Sequence, residues 1–178
     1  GDAPRDEAAK VAPLSVYGAS KLDGEEAVIS AGGSFAILRT SWVFSAHGSN
    51  FVKTMLRLGA ERDALTIVDD QVGGPTPAAS IADACLSIAR AFANGDGQSG
   101  VYHFAGAPAV SWREFAEAIF AEADLSPTVT PIPTANYPTP ATRPLNSRLD
   151  CQKILNDYGI EAPDWREHLK TVVEELRA

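Results

Sequence analysis

The chain has 178 residues and a net charge of −8, with 15 Lys and Arg that are scattered rather than clustered. It therefore lacks the concentrated basic surface that a nucleic-acid partner needs. Hydrophobic residues at 45% and charged residues at 21% describe a globular chain able to build a core, which excludes a disordered or fibrous class.

No apolar run approaches the roughly 20 residues of a membrane span. The polar, acidic residues 1–7 do not read as a signal peptide. Cys85 and Cys151 have neither a CxxC partner nor a histidine at ligand spacing. Free thiols in a reducing cytoplasm, with no metal site and no membrane, are the expectation.

In chain order, a helix is predicted over 15–31, stopped by Gly32-Gly33. Residues 35–38 read as a buried strand that runs on through the strand formers of 39–44. Asn50 is placed to cap a helix from 51 to about 59. A short strand is predicted over 65–68, then a loop over 69–77. Ser80 opens the next helix, where Ile81, Cys85, Ile88 and Phe92 share one face. Asn94-Gly95-Asp96-Gly97 ends it. Residues 101–104 form a strand. Ser111 and Glu114 make a capping-box pattern before a helix that buries Trp112, Phe115 and Ile119. Residues 129–132 form a last strand.

The stretch 134–144 holds three prolines and no apolar period. It reads as a loop long enough to imply function or packing against another domain. Asp164 and Glu167 start the final helix, with Trp165, Leu169, Val172, Val173 and Leu176 inward. Helices alternating with strands imply an α/β fold.

The segment Ser15-Val16-Tyr17-Gly18-Ala19-Ser20-Lys21 carries the chemistry. Tyr17 and Lys21 are four apart on a predicted helix and share a face. A tyrosine hydroxyl titrates at about 10, too high for easy proton exchange at neutral pH. A nearby ammonium favours the phenolate and lowers that value. The pair is then able to relay a proton to a substrate oxygen. Taken alone, a Tyr four residues before a Lys is also an ordinary surface pair.

The YxxxK pair stands in Tyr17-Gly18-Ala19-Ser20-Lys21-Leu22-Asp23-Gly24-Glu25. Six more segments follow in order. They are Leu38-Arg39-Thr40-Ser41-Trp42-Val43-Phe44, Asn50-Phe51-Val52-Lys53-Thr54-Met55, Asp69-Asp70-Gln71-Val72-Gly73-Gly74-Pro75-Thr76, Tyr102-His103-Phe104, Ser111-Trp112-Arg113-Glu114-Phe115-Ala116 and Tyr137-Pro138-Thr139-Pro140-Ala141-Thr142-Arg143-Pro144. Together they resemble the dTDP-4-dehydrorhamnose reductases, extended short-chain dehydrogenases, from about residue 6 to 150 and more loosely beyond.

The resemblance implies the C-terminal part of a doubly wound Rossmann-type sheet plus a smaller α/β substrate-binding domain. Residues 1–49 and 77–106 would be the remnant of the NAD(P)-binding Rossmann domain. Residues 50–76 and 107–178 would form the substrate-binding domain. The implied reaction is reduction of the C4 keto group of a dTDP-linked 4-keto-6-deoxy sugar with NADPH or NADH. Tyr17 would supply the proton. Lys21 would hold the nicotinamide ribose, with Tyr17 and Thr40 also on the cofactor side.

Trp42 would face the sugar, or else serve as a core tryptophan. Asn50 would touch substrate, or only cap its helix. Arg143 would pair with the diphosphate, or remain a surface residue. Gln71 and Thr76 read as loop-shaping residues, with ligand contact as the alternative, and His103 as a satisfied core histidine rather than a catalyst. Phe44 stands where relatives often carry Tyr.

The glycine-rich turn for the pyrophosphate is not found: Gly32-Gly33 ends a helix, and Gly73-Gly74-Pro75 precedes a loop. That turn, the first strands and the carbonyl-polarising Ser or Thr are expected upstream. The chain alone is therefore expected to be inactive, to bind NAD(P)H poorly, and either to pair with a second copy or with a missing N-terminal half or to be marginally folded. Other readings are an epimerase or dehydratase of the same superfamily, and a regulatory or binding subunit without turnover.

Overall fold

Local capping chemistry shapes the first helix of the computed structural model, which describes residues 2–139 and 142–177. In α1 (Val16–Ala31), the Ser15 hydroxyl accepts from the Gly18 amide at 3.1 Å, and Gly32 closes the other end at φ +71°. Glycine takes that left-handed backbone without a Cβ penalty.

The next segment departs from the single strand expected over 35–44. It divides into β1 (Ala36–Arg39) and β2 (Val43–Phe44). Trp42 lies between them at φ +50°, a conformation rare for a bulky residue. The kink lets the two halves join different strands.

Asn50 caps α2 (Phe51–Glu61), and β3 (Ala64–Val68) follows. The predicted loop 69–77 holds two short strands, β4 (Val72–Gly73) and β5 (Thr76–Pro77). Two-residue strands have too little sequence to show a period, so their hydrogen bonds come from distant partners. Then α3 (Ala78–Asn94) begins two residues before Ser80, without a side-chain cap, and Gly95 ends it in the left-handed region.

β6 (Gly100–His103) and β7 (Val110–Ser111) lead into α4 (Trp112–Glu122), where the Ser111–Glu114 capping box is present. After β8 (Thr128–Ile132) come a 3₁₀ turn (Thr134–Asn136), β9 (Asn146–Ser147), α5 (Gln152–Tyr158) and α6 (Trp165–Arg177). The sequence pattern does not predict α5. Its seven residues bury only Ile154 and so show no apolar repeat.

The fold class is α/β, as expected. Parallel pairs join β1 to β6, β2 to β5 and β3 to β8, and β4 lies between β7 and β9. Parallel neighbours require a crossover; between β3 and β8 the chain runs through β4, β5, α3, β6, β7 and α4.

Two cores result. The larger gathers Phe44, Val52, Met55, Phe115, Ile119 and Trp165 from α2, α4, α6 and the strands beside them. The smaller gathers Ala84, Ile88, Tyr102, Phe104 and Ile154 between α3, β6 and α5. Phe44 sits in the larger core and Ile154 in the smaller, so the chain crosses between the cores at both points. Backbones approach closely where the segments meet: a Cβ on Gly106 would lie 1.9 Å from the Pro75 carbonyl oxygen.

His103 is buried, with Nδ1 2.9 Å from the Arg5 carbonyl oxygen and its amide donating to Glu7. It is a satisfied core histidine, as expected. Both cysteines are free thiols, and burial pushes the Cys151 thiol upward. Among the described residues, no helix is long and apolar enough to cross a membrane.

Candidate active site

The parallel pairing of β3 and β8 brings their C-terminal ends out together. A cleft of about 500 Å³ runs along the length of β3, from Ala64 to Val68, and on to Gln71 beyond its end. Its floor includes Leu65 and Ile67 of β3, and α2 supplies Phe51 and Met55, with Arg62 just past its end. Tyr137, Thr139 and Arg143 of the proline segment form the opposite lip, with Trp112 and Gln71 also lining the space. Pro140 and Ala141 of that segment lie outside the described residues. Arg62 and Arg143 both line this mostly apolar cleft, and neither forms an ion pair among the described residues.

Trp42 does not line this cleft. It stacks on Trp112 with ring centroids 3.5 Å apart and planes 8° from parallel. Phe51 meets the same indole at 4.5 Å. Gly73 makes room for the stack, since a Cβ there would come 2.7 Å from Trp42 Cε2. Trp42 thus backs the ring that lines the cleft.

The amide of Asn50 is committed within the protein. Its Oδ1 accepts from the Lys53 amide at 3.2 Å, and its Nδ2 donates to the Ser45 carbonyl at 2.7 Å. Thr76 and Gln71 are buried and hold loops. The Thr76 hydroxyl donates to the Gly74 carbonyl and accepts from the Gly106 amide.

Tyr17 and Lys21 lie elsewhere, on α1, a helix with no buried residue. Tyr17 is 72% exposed, and Lys21 Nζ lies 5.4 Å from its ring centroid. The expected shared face is present. Thr40 is exposed just beyond β1.

Leu14, three residues before Tyr17, lines a second cavity of about 410 Å³ together with Asp70, Val72 and Pro144. These are sequence neighbours of Gln71 and Arg143 in the first cleft. The two cavities therefore share their bordering segments, and the second extends toward α1.

Sequence reasoning missed Arg62. At the end of α2 it looks like any surface cation, and only the fold turns it toward the cleft. It also missed a polar cluster at the start of α4. The Ser111 hydroxyl donates to Asp69 Oδ1 at 2.6 Å, and Arg113 Nε makes an ion pair with the same oxygen at 2.9 Å. Burial raises the Asp69 carboxyl, but the Ser111 hydroxyl and the Arg113 guanidinium outweigh it and hold the group below its ordinary value.

Comparison with known proteins gives consistent results. A dTDP-4-dehydrorhamnose reductase from Aggregatibacter actinomycetemcomitans is 48% identical over 90% of this chain and 57% of that protein. The crystal structure of one from Clostridium acetobutylicum superposes with a TM-score of 0.90 at 34% identity, over all of this chain and 61% of that one. Another from Bacillus anthracis, in complex with NADP, gives 0.84 at 36% identity, over 96% of this chain and 59% of that one. The chain thus spans about three fifths of the length of these relatives. The family model described as the RmlD substrate binding domain matches residues 1–178, and the chain belongs to that family.

Proposed function

We propose that this chain is the substrate-binding part, with the catalytic pair, of an NAD(P)H-dependent reductase acting on the C4 keto group of a dTDP-linked 4-keto-6-deoxy sugar. The observation that carries the reading is the cleft: apolar and aromatic surface suited to a nucleoside, with Arg62 and Arg143 placed to meet a diphosphate. Residues 50–76 and 107–178 supply most of this surface. Residues 1–49 and 77–106 carry Tyr17, Lys21 and Thr40 on the cofactor side.

Tyr17 gives its proton to the substrate oxygen, and the Lys21 ammonium favours the phenolate that results. NADPH or NADH, when bound, supplies the hydride. An exposed phenol and ammonium on an uncovered helix face fit the ribose end of that cofactor. A pyrophosphate cradle is not found among the described residues. Trp42 acts on the sugar side by backing Trp112, and Asn50 acts by fixing the loop before α2. An intact Tyr17–Lys21 pair favours turnover over a purely regulatory subunit. Two free thiols and the polar chemistry of the substrate favour a cytoplasmic setting.

Arg143→Ala should weaken dTDP binding by roughly 1.5–3 kcal/mol, the weight of a hydrogen bond to a charged group. Calorimetric titration with dTDP checks this, and an unmoved affinity would leave Arg143 as a surface residue. Hydride transfer to the dTDP-keto sugar by the full-length protein tests the reading as a whole.

The chain's associations follow from its uncovered surface. The β1–β6 pair has only two strands among the described residues, and Val16, Tyr17, Val28 and Ile29 of α1 are exposed. Open strand edges and bare apolar faces invite a partner. A nucleotide-binding half of the kind the longer relatives have room for would cover this face. Without it, a second copy would. Sedimentation of the 178-residue chain should reveal self-association, and cofactor titration should reveal weak NAD(P)H binding. A stable monomer that binds NADPH tightly would overturn both.

A further inference from the structure

The two strand ends beside the cleft also bring together a set of polar groups that the proposed chemistry does not use. Val68 and Ile132 are register partners, and the Asp69 amide donates to the Ile132 carbonyl at 3.0 Å. The pairing carries Asp70 and Gln71 alongside Pro133 and Thr134. The Thr134 amide donates to Asp70 Oδ1 at 2.8 Å and to Oδ2 at 3.0 Å, and the Thr134 hydroxyl donates to Oδ1 at 2.5 Å. That hydroxyl also accepts from Gln71 Nε2 at 3.0 Å. At its other end, Gln71 Oε1 accepts from Trp112 Nε1 at 3.1 Å. A continuous chain thus runs from the Asp70 carboxylate through Thr134 and Gln71 to the Trp112 indole.

We propose that Asp70, Thr134 and Gln71 are positioning residues that set the separation of the cleft's two walls and so determine its affinity for a nucleoside diphosphate. This rests on the reading of the cleft given above. Thr134 begins the 3₁₀ turn that leads directly to the lip formed by Tyr137 and Arg143. Residues 135–139 are exposed, so little apolar packing holds the start of that lip, where the clasp on Asp70 anchors it; its far end is tied separately, by the Val72 amide donating to the Leu145 carbonyl at 2.8 Å. Trp112 is the aromatic wall, braced from behind by Trp42. Gln71 is buried and joins the two through both ends of its amide. Charge-assisted hydrogen bonds of this kind are short and directional, so they hold geometry as well as add energy. A lip released from Asp70 would present Tyr137, three residues beyond Thr134, over a spread of positions, and the ligand would have to order it on binding.

The test is dTDP binding to the full-length protein and its variants, with thermal unfolding recorded beside it. Asp70→Ala and Thr134→Val should each weaken dTDP binding by roughly tenfold or more. Thr134→Ser keeps the hydroxyl and should hold affinity within about twofold. Unfolding temperatures should move little, because Asp70 is exposed and the clasp lies outside both cores. In turnover assays KM for the sugar nucleotide should rise by more than kcat falls. Should Asp70→Ala fold poorly, Thr134→Val removes a single hydroxyl at nearly constant shape and decides the matter. Unchanged affinity in a folded Thr134→Val variant, or failure of Thr134→Ser to preserve it, would overturn the positioning role. If the unaltered protein does not bind dTDP, the reading of the cleft fails first and takes this inference with it.

Discussion

Tyr17→Phe is expected to lower turnover of the full-length protein by roughly two to four orders of magnitude, the usual scale for a lost proton donor. The substitution removes one hydroxyl and leaves the ring for Lys21 to sit over. Folding should not be the cause of the loss, since Tyr17 is largely exposed and α1 buries none of its residues. Affinity for the sugar nucleotide should fall far less, because the cleft that carries Arg62 and Arg143 is built from other elements. Steady-state kinetics of the wild type and variant, with dTDP affinity measured separately, make the comparison. Turnover that stays the same would end the proposed role of Tyr17. It would also favour a binding or regulatory part for the chain.

The largest effect on stability is expected from Trp165→Ala, which should cost about 3–5 kcal/mol. Trp165 is only 1% exposed and meets Phe115 edge-on at 5.3 Å. Its Nε1 donates to the Pro108 carbonyl at 2.8 Å, and its own amide donates to the Ala107 carbonyl. Truncation would therefore open a cavity in the larger core and remove a hydrogen bond at the start of α6. Against a total stability of about 5–15 kcal/mol, that loss is a large fraction. Urea denaturation should show a lower midpoint with a similar slope. A midpoint within error of the wild type would mean that α6 contributes little to the core.

Several features are legible in the amino-acid sequence because they depend on near neighbours along the chain. The cap at Ser15, the stop at Gly32, the Ser111–Glu114 box and the i, i+4 meeting of Tyr17 and Lys21 all arise within one or two helical turns. Helical periodicity likewise places α3, α4 and α6, where Ile88, Phe115, Ile119, Trp165, Leu169 and Val173 occupy the cores as expected, although Cys85 of the expected α3 face is exposed and Ala84 is buried instead.

Asn50 is legible only as an alternative between cap and contact. Its cap bond forms, but a cap pattern says nothing about what else reaches the side chain. The break at Trp42 is not legible, because 35–44 is rich in strand formers throughout. What bends it is competition between β6 and β5 for its two halves, and both lie far along the chain. The short strands β4, β5, β7 and β9 have no period to read, and α5 is too brief to show one. The convergence of Arg62 with Arg143, and the chain from Asp70 to Trp112, depend on the register of β3 against β8. Register is a long-range property: it is settled by which apolar faces pack together and which strand ends then coincide. The sequence by itself determined the helices α1 to α4 and α6, the caps of α1, α2 and α4, and the Tyr17–Lys21 pair, where the forces are local. Only the tertiary structure decided the cleft and the groups that face it, because those are held together by contacts between residues tens of positions apart.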